Sequence, residues 1–515
     1  MIFPCTACTG VPGCSRQQLA SMAEEGVLKV RRFIYAIVLF TALSASSLSG
    51  PLSVSAAAHD PIPDGRLTPA QRADLYNIAK QTWRFFDADA DPNTHLPMDN
   101  IGLYGAPARG AYTSPSNIGV DFWSIVSAQD LGIIDHAGGW QRVNALLTEV
   151  EKLSKWHGFL FSWYDTTNGH RISGPNGTDQ EGQPATGAFI STVDSAWYAS
   201  GLILVRQVYP DLTSRATALL NAMDFGIFYD KGDQSKDITA GQMYGGYNAD
   251  QGPATFHYGL LNTETRIAAY IGMGTHKMPG DVWWRTWRTL PASFTWQGQP
   301  PQGYNRQYVD LYSGKLFTVF EGHYTSNGIN FVPSWGGSMF EALMPNLVAP
   351  ETIVGFRSFG LNDKRYAQAQ IAYATQTLHY PVWGLSPAST PDDTGGYDAY
   401  GARGMASNRT CCPYDETAVT PHASFIALDV VPQEAYANIQ ALRSRYKIYD
   451  QYGFFDAVNP TTGQVGHRYL VLDQSMIMAA LDNALRFKQM QRHFIQDPVI
   501  IADLPYLVEE QFSIS

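Results

Sequence analysis

The chain is poor in cysteine, which limits the folds and the chemistries that it can support. Only five cysteines occur in 515 residues, and Cys5, Cys8 and Cys14 lie close to the N-terminus. The remaining two, Cys411 and Cys412, are adjacent, and adjacent cysteines cannot close an ordinary disulfide loop. We expect them to be structural, as a strained vicinal disulfide, two free thiols or soft ligands. Stability must then come from a large hydrophobic core, which a chain of this length can build.

Charged residues are also scarce, at 16% of the composition, and acids outnumber bases by 46 to 35. The resulting net charge of −11 lacks the basic footprint that nucleic-acid binding requires. Aromatic residues are abundant by contrast, with 12 Trp and 28 Tyr. Flat aromatic rings fill cores, and they also stack on sugar rings. The acidic balance favours a sugar ligand and excludes nucleic acid as a partner.

Several catalytic motifs are missing. The sequence has no G-x-S-x-G elbow, no P-loop and no H-E-x-x-H pair, which disfavours serine esterases, P-loop nucleotide hydrolases and zinc proteases. The histidines are scattered, and we interpret His257, His323 and His422 as hydrogen-bonding pocket residues rather than metal ligands. We therefore expect neither a metal nor a cofactor.

Long hydrophobic runs are limited to the N-terminal region. Lys29, Arg31 and Arg32 precede an apolar run over 33–43, and small residues follow up to VSAAA. A basic stretch, a short apolar run and a small-residue cleavage site indicate a secretory signal. We expect region 1–58 to be removed, giving a secreted or periplasmic monomer that is not attached to a membrane. The alternative is an uncleaved N-terminal anchor, although the run is short for a membrane span.

Helical periodicity dominates the rest of the chain, whereas period-2 alternation is rare. The predicted helices are 69–87, 116–132, 139–155, 192–209, 212–228, 262–273, 338–347, 362–379, 416–430, 432–446 and 473–488. So many helices favour an all-α fold, and the natural closed form is an (α/α)6 barrel of six hairpins. Its long aromatic-rich loops should build the site. We assign 59–68 to a linker, 69–490 to this domain and 491–515 to a C-terminal tail packed on it.

The stretch HYGLLNTETRIAAYIGMG, at 257–274, carries the leading catalytic candidate. Asn262 is a good helix N-cap, and an apolar face follows from Ile267 to Ile271. Glu264 lies on that same face, so its side chain should turn inward. An inward carboxylate must be paired, or it must hold a raised pKa and serve as an acid. The alternative is a first-turn Glu that only complements the helix dipole.

Four more acidic positions stand at predicted helix starts beside a tryptophan or a tyrosine. They are Asp121 after Ser116, Asp194 after Ser191 or Thr192, Glu341 after Ser338, and Asp415 beside Glu416. S-x-x-D/E is also a capping box, which needs no substrate. Two carboxyls with aromatic platforms nevertheless suit glycoside cleavage, in which one protonates the leaving oxygen and the other activates water or attacks the anomeric carbon. We predict Glu264 as one member of the pair and Asp194 or Asp415 as the other.

Nine stretches resemble, in order, the glucoamylase-like family of bacterial α/α-toroid proteins, which includes endo-β-1,2-glucanases and the transglycosylase part of cyclic β-1,2-glucan synthases. They are TSPSNIGVDFWSIVSAQDLGII (113–134), FLFSWYD (159–165), ISTVDSAWYASGLIL (190–204), HYGLLNTETRIAAYIGMG (257–274), SWGGSMFEALMP (334–345), VWGLSPAS (382–389), DETAVTPHAS (415–424), YGFFDAVN (452–459) and LDQSMIMAALDNAL (472–485). The resemblance implies an (α/α)6 fold, action on a glucan or related polysaccharide, and a catalytic role for Glu264. After Trp383-Gly384-Leu385-Ser386, where relatives often carry a carboxylate, this chain has Pro387, and its first acids are Asp392 and Asp393.

We therefore predict a secreted glycoside hydrolase that acts on a polysaccharide or oligosaccharide, with an endo-acting β-glucanase as the expected type. The predicted substrate-binding residues are Trp197, Trp335, Trp383, Glu341, Asp121, Tyr258, Arg266 and His323. One alternative is a non-catalytic polysaccharide-binding protein on the same fold, which the departure at Pro387 favours. Another is a polysaccharide lyase, although lyases neutralise an acidic substrate with cations and this chain is acidic.

Overall fold

The structure is a computed structural model, and it describes residues 66–410 and 413–514. The predictions for region 1–58, for most of the linker and for Cys411 and Cys412 fall outside these residues. The helices of the described part are α1 (Pro69–Asp89), α2 (Pro115–Asp130), α3 (His136–Lys152), α4 (Thr192–Val208), α5 (Thr213–Ala222), α6 (Arg266–Gly274), α7 (Asp281–Arg285), α8 (Met339–Leu343), α9 (Glu351–Val354), α10 (Phe359–Ala372), α11 (Pro421–Ile426), α12 (Pro432–Arg445), α13 (Val471–Leu485), α14 (Gln489–Ile495) and α15 (Pro498–Glu509).

The strands are short and lie in the loops between helices. They are β1 (Asn100–Gly102), β2 (Arg109–Gly110), β3 (Tyr112–Thr113), β4 (Lys155–Trp156), β5 (Phe159–Leu160), β6 (Tyr164–Asp165), β7 (Phe189–Ser191), β8 (Met243–Tyr244), β9 (Gly246–Asn248), β10 (Gly252–Pro253), β11 (His257–Tyr258), β12 (Gln302–Val309), β13 (Leu316–Ser326), β14 (Ile329–Phe331), β15 (Ala388–Ser389), β16 (Tyr397–Asp398), β17 (Tyr449–Asp450), β18 (Gly453–Phe454), β19 (Ala457–Val458), β20 (Val465–Gly466) and β21 (Arg468–Leu470). The longest, β12 and β13, had no counterpart in the predicted pattern. Residues 307–318, at the end of β12 and the start of β13, group apart from the unit that holds all the helices given above.

Two pairings of these strands place residues that matter below. In the three-stranded sheet β2-β1-β21, Ile101 lies opposite Tyr469, so two distant parts of the chain meet. In the hairpin of β15 and β16, Ser389 lies opposite Tyr397. Both pairings are antiparallel.

Six helices pack in a continuous series that the sequence interleaves with other helices. Helix α2 packs on α4, α4 on α6, α8 on α11, α11 on α13, and α13 again on α2. Helices α6 and α8 are joined through Arg266, whose guanidinium donates to the carbonyl of Ala342 at 2.7 Å. The chain of neighbours therefore returns to its first member.

The α2–α4 contact is close because glycines face each other across it. A Cβ on Gly201 would lie 2.5 Å from the carbonyl oxygen of Gly119, and a Cβ on Gly119 would lie 2.3 Å from that of Trp197. No larger residue fits these positions without moving the backbone. The remaining long helices each pack on a member of this series: α1 packs on α13, α3 on α2, α5 on α4, α10 on α8, α12 on α11 and α15 on α6.

Several predicted helices agree with the structure, because local signals mark their starts: a capping side chain at α1 and α4, and Pro432 at the first turn of α12. The predictions 69–87, 192–209 and 432–446 correspond to α1, α4 and α12. Helix α1 begins with a capping box, in which the Thr68 hydroxyl accepts from the Gln71 N–H and the Gln71 side chain accepts from Thr68. Such signals lie within one turn of sequence and can be recognised there.

The predicted helix 416–430 is wrong at its start. Helix α11 begins only at Pro421. Val419 instead forms a β-bridge with Val458, donating and accepting at 2.9 and 3.0 Å. This pairing holds the residues before Thr420 in an extended conformation, so Asp415 lies in a loop and not on a helix.

No helix among residues 66–410 and 413–514 combines the length and the apolar character that a membrane span needs.

Candidate active site

Glu264 lies in the turn immediately before α6. The helix begins at Arg266, later than predicted, and residues 263–265 form a turn closed by the Arg266 N–H donating to the Thr263 carbonyl at 3.2 Å. The predicted cap, Asn262, does not cap this helix. Its side-chain amide donates to the Val332 carbonyl at 2.7 Å, because residue 262 is buried four residues upstream of the helix. Glu264 itself is half-buried.

The electrostatic environment makes Glu264 a proton donor at neutral pH. Desolvation, followed by the negative charge of Glu341, raises the pKa of Glu264 to about 8. Asp194 adds to the same effect, and Arg266 opposes it. A carboxyl group with this pKa is protonated at neutral pH and can deliver its proton to a leaving oxygen.

Glu341 is the charged partner in this pair, because hydrogen-bond donors surround it. Its carboxylate accepts from Ser334 Oγ at 2.7 Å, from the Gly336 N–H at 2.9 Å and from the Tyr414 hydroxyl at 3.1 Å. It also closes a capping box with Ser338 at the start of α8, as the S-x-x-E spacing predicts. Burial raises the pKa of Glu341, while hydrogen bonds from Ser334, Gly336 and Ser338 lower it. No side chain in the described part of the chain donates to Glu264, which favours the protonated form of Glu264 over that of Glu341.

Asp194 stands in the first turn of α4, as predicted. The Ser191 hydroxyl caps the helix by accepting from the Asp194 N–H at 3.2 Å. The carboxylate accepts from Ser116 Oγ at 2.6 Å. Burial raises the pKa of Asp194, and the serine hydroxyls oppose that rise. The cap of α2 is Ser114 rather than the predicted Ser116, which frees Ser116 to orient Asp194.

Three tyrosines from separate loops complete the cluster. Burial and the charges of Glu264 and Asp194 raise the pKa of Tyr258, and the charges of Glu341 and Glu264 raise that of Tyr414. Tyr397 lies near Glu264 as well, and its pKa is raised by desolvation and by nearby carboxylates. Yet Tyr397 is 58% exposed. Tyr397 also lines the cavity described next.

A cavity of about 300 Å³ adjoins this cluster, and Asp194 and Tyr397 are the members of the cluster that line it. Its walls include the starts of α2, α4 and α13, the hairpin of β15 and β16, and one indole, through Ser116, Asp194, Leu472, Tyr397 and Trp163. Volumes of this order suit small ligands. The wall carries acids, hydroxyls and aromatic rings, the mixture that binds and cleaves a sugar.

Asp473 is a neighbour of the cleft that the sequence-based prediction missed. It lies in the first turn of α13, 3.2 Å from His422 Nδ1, and its charge is among those that raise the pKa of Tyr397. Asp456 lies nearby, since Asp473 raises its pKa. The signal was available, because Asp473 opens a predicted helix in the same way as Asp194. The contributions of Tyr397 and Tyr414 had no such signal, since they come from loops.

Two of the three predicted sugar platforms are wrong. Trp197 is 2% exposed and packs edge-on against Trp123 at 5.4 Å. Trp383 is 5% exposed. Both fill the core, and neither can stack on a sugar. Trp335 is half-buried, packs edge-on on Trp296 at 6.0 Å, and lies between the residues that bind Glu341.

Arg266 and His323 are also corrected, because neither reaches the cleft. Arg266 is fully buried and forms a two-point ion pair with Glu351 at 2.6 and 2.8 Å. His323 is 8% exposed, with Nδ1 2.7 Å from Ser513 Oγ, and burial lowers its pKa. Both are structural residues.

Asp121 and Asp415 are not among the residues that line the acid-lined cavity. Asp121 lines a different, small cavity with Trp83 and His95, and burial raises its pKa to about 7. The Asp415 carboxylate accepts from the Thr417 N–H at 2.6 Å. Its loop position leaves it outside the walls of the acid-lined cavity.

The other predicted histidines are paired with carboxylates. His257 Nε2 lies 2.9 Å from Asp230, and His422 is the neighbour of Asp473 described above. Among the described residues, no group of three or more His, Cys, Asp or Glu is arranged to hold a metal ion.

Two family models match this chain. Residues 257–498 match the family model described as "Putative glucoamylase", and residues 77–264 match a family of unknown function. The two matches overlap over 257–264 and thus share Glu264. The resemblance to the glucoamylase-like family that the motifs predict is thereby confirmed.

Three relatives illustrate the similarity. The chain is 24% identical to the cyclic β-(1,2)-glucan synthase of Rhizobium meliloti, over 83% of this chain and 18% of that protein. It is 21% identical to the exo β-1,2-glucooligosaccharide sophorohydrolase of Parabacteroides distasonis, over 81% and 55%. The chain thus spans about half or less of each of these relatives. The endo-β-1,2-glucanase of Chitinophaga pinensis, solved with sophorotriose and glucose, shares the fold with a TM-score of 0.61 at 18% identity, over 85% and 98%.

Proposed function

We propose, from the premise that residues 257–498 of this chain are a glucoamylase-like sequence, that the protein is a glycoside hydrolase that cleaves β-1,2-linked glucan in the cleft of Glu264. The observation that carries the proposal is the pKa of about 8 that the cleft gives to Glu264. Two relatives act on β-1,2-linked glucose chains by their names. The cleft supplies the acid that such a reaction needs.

In the proposed reaction Glu264 is the general acid. It protonates the oxygen of the scissile bond, and the charge that it then acquires is costly beside Glu341. That cost keeps the proton on Glu264 until the leaving oxygen takes it. Glu341, held by Ser334, Gly336 and Tyr414, sets the pKa of Glu264 rather than contacting the sugar.

Asp194 is the proposed second carboxylate. It lines the cavity, its charge raises the pKa of Glu264, and it stands at the positive end of α4, oriented by Ser116. Asp473 is the rival for this role, because it also lies close to Tyr397. Asp415 is the less favoured candidate, because its carboxylate accepts from the Thr417 N–H of its own loop.

Matched amide variants decide between these carboxylates. Asp194→Asn should lower kcat on β-1,2-glucan at least about a hundredfold, and Asp415→Asn should change it less than about twofold. A large loss in Asp473→Asn with normal turnover in Asp194→Asn would transfer the role to Asp473.

The proposed activity is tested by a screen of the purified protein against β-1,2-, β-1,3- and α-glucans, with the products sized. New reducing ends from β-1,2-glucan are expected. Oligosaccharide binding without new reducing ends would favour a non-catalytic binding protein. Products that absorb in the ultraviolet would instead indicate a lyase.

The architecture and the cellular context belong to the same proposal. Helices α2, α4, α6, α8, α11 and α13 would form the inner ring of an (α/α)6 barrel, with their N-terminal ends at the cleft. A monomeric domain over 69–490, released to the periplasm or medium after loss of region 1–58, would meet its glucan there.

A further inference from the structure

A second cavity, of about 310 Å³, lies beside the acid-lined one. Its walls come from the segment 161–189 alone. Trp163 lines both cavities, so the two cavities adjoin at this residue. Pro175, from the same segment, reaches the wall of the first cavity.

Arg171 holds this segment in a fixed conformation. Its Nη2 donates to the carbonyls of Gln180, Gln183 and Pro184 at 2.8, 3.1 and 3.1 Å. Its guanidinium carbon lies 4.6 Å from the ring centre of Phe161. A buried cation with its donors satisfied ties the two ends of the segment together. The second cavity is therefore formed before any ligand arrives.

The wall of the second cavity is joined through the chain to Asp194 and by a ring contact to the first cavity. Phe189, in its wall, begins β7, and β7 ends at Ser191, the cap of the helix that carries Asp194. Trp163 packs edge-on against Tyr112 at 5.5 Å, and Tyr112 lines the first cavity. The indole is half-buried and keeps an accessible surface that suits the apolar face of a sugar ring.

We propose that the second cavity binds glucosyl units of the substrate chain that do not react. A glucan would pass from the acid cluster across Trp163 into the pocket of segment 161–189. This inference rests on the proposed function, because it assigns the ligand by the substrate of the first cavity. Each cavity is at the lower end of the range for small ligands, so the two together suit an oligosaccharide. Binding energy from these remote units should then raise turnover on long chains.

Filling the second cavity tests the inference without touching the catalytic cluster. Thr186 lines the cavity and is exposed, so Thr186→Trp should fold and should block it. Gln183→Trp is the matched control, because Gln183 is exposed on the same segment and lies outside the cavity wall. The measurement is kcat/KM on a β-1,2-linked trisaccharide and on polymeric β-1,2-glucan.

Thr186→Trp should lower kcat/KM on the polymer about tenfold and leave the trisaccharide within about twofold, whereas Gln183→Trp should change neither. Equal loss on both substrates, no loss on either, or the same loss in Gln183→Trp would overturn the inference. Should the wild-type protein cleave neither substrate, the proposed function fails instead. Calorimetric binding of the polymer then decides, since wild type must bind it more tightly than Thr186→Trp.

Discussion

Glu264 owes its chemistry to unequal surroundings of two neighbouring carboxyls. Glu341 has hydroxyl and amide donors around it, and Glu264 has the desolvated position without a side-chain donor. The proton therefore resides on Glu264, although both residues are glutamates. The same division of two carboxyls into acid and anion is a general device for acid catalysis at neutral pH.

The pH dependence of turnover follows from this assignment. With a pKa of about 8, Glu264 keeps its proton at neutral pH and loses it as the pH rises further. The rate kcat on β-1,2-glucan should therefore hold through neutrality and fall above about pH 8. Tyr414→Phe removes a donor to Glu341, which would then hold its negative charge less well. The pKa of Glu264 should fall as a result, and the falling limb should shift to lower pH. A falling limb near the pKa of an ordinary glutamate would contradict the assignment.

Helix α6 depends on a buried ion pair, which places the turn of Glu264. Arg266 binds Glu351 through two hydrogen bonds, and Tyr270 donates to the same carboxylate at 2.8 Å. Arg266 also donates to the carbonyls of Thr263 and Ala342, and so joins the Glu264 turn to α8. Arg266, which was predicted to bind substrate, instead fixes the position of the Glu264 turn relative to α8.

Arg266→Met should lower the free energy of unfolding by about 3–5 kcal/mol, because Glu351 would remain buried without its counter-charge. Urea denaturation at neutral pH measures this loss. The double variant Arg266→Met/Glu351→Leu should recover part of it, since both charges are then removed. A loss under about 1 kcal/mol in the single variant would show that the pair does not stabilise the fold.

Local signals in the sequence were sufficient for some elements and not for others. The helix caps at Ser191 and Ser338 could be recognised in the sequence, because each capping serine and its acidic partner lie three residues apart. The extended residues before Pro421 could not, since they are fixed by Val458, far along the chain. The prediction of Trp197 as a sugar platform was wrong for a similar reason. The burial of residues on α4 depends on the glycine contact with α2, which lies far from them in the sequence.

Buried carboxyl groups in the whole molecule link stability to pH. Burial raises the pKa of Asp89, Asp121, Asp363, Asp456, Asp482 and Asp503. Each of these groups binds its proton more tightly in the folded state than in the unfolded state. Their contribution is therefore full below the unfolded pKa and is lost as the pH rises through the folded pKa.

Asp121 gives the clearest test, because burial raises its pKa from the ordinary 3.8 to about 7. The wild-type protein should lose stability between these two values as the pH increases. Asp121→Asn should flatten this part of the profile, so that the variant gains stability relative to wild type toward pH 7. Denaturant midpoints across this pH range measure the difference. A gap between the two proteins that stays constant with pH would contradict it.

The most direct test of the account compares wild type with Glu264→Gln on β-1,2-glucan at neutral pH. Turnover is counted as new reducing ends, and circular dichroism and the melting temperature establish that the variant is folded. The account predicts that wild type cleaves the polymer and that Glu264→Gln loses at least about a hundredfold in kcat. Near-normal turnover in a folded Glu264→Gln variant would contradict the account.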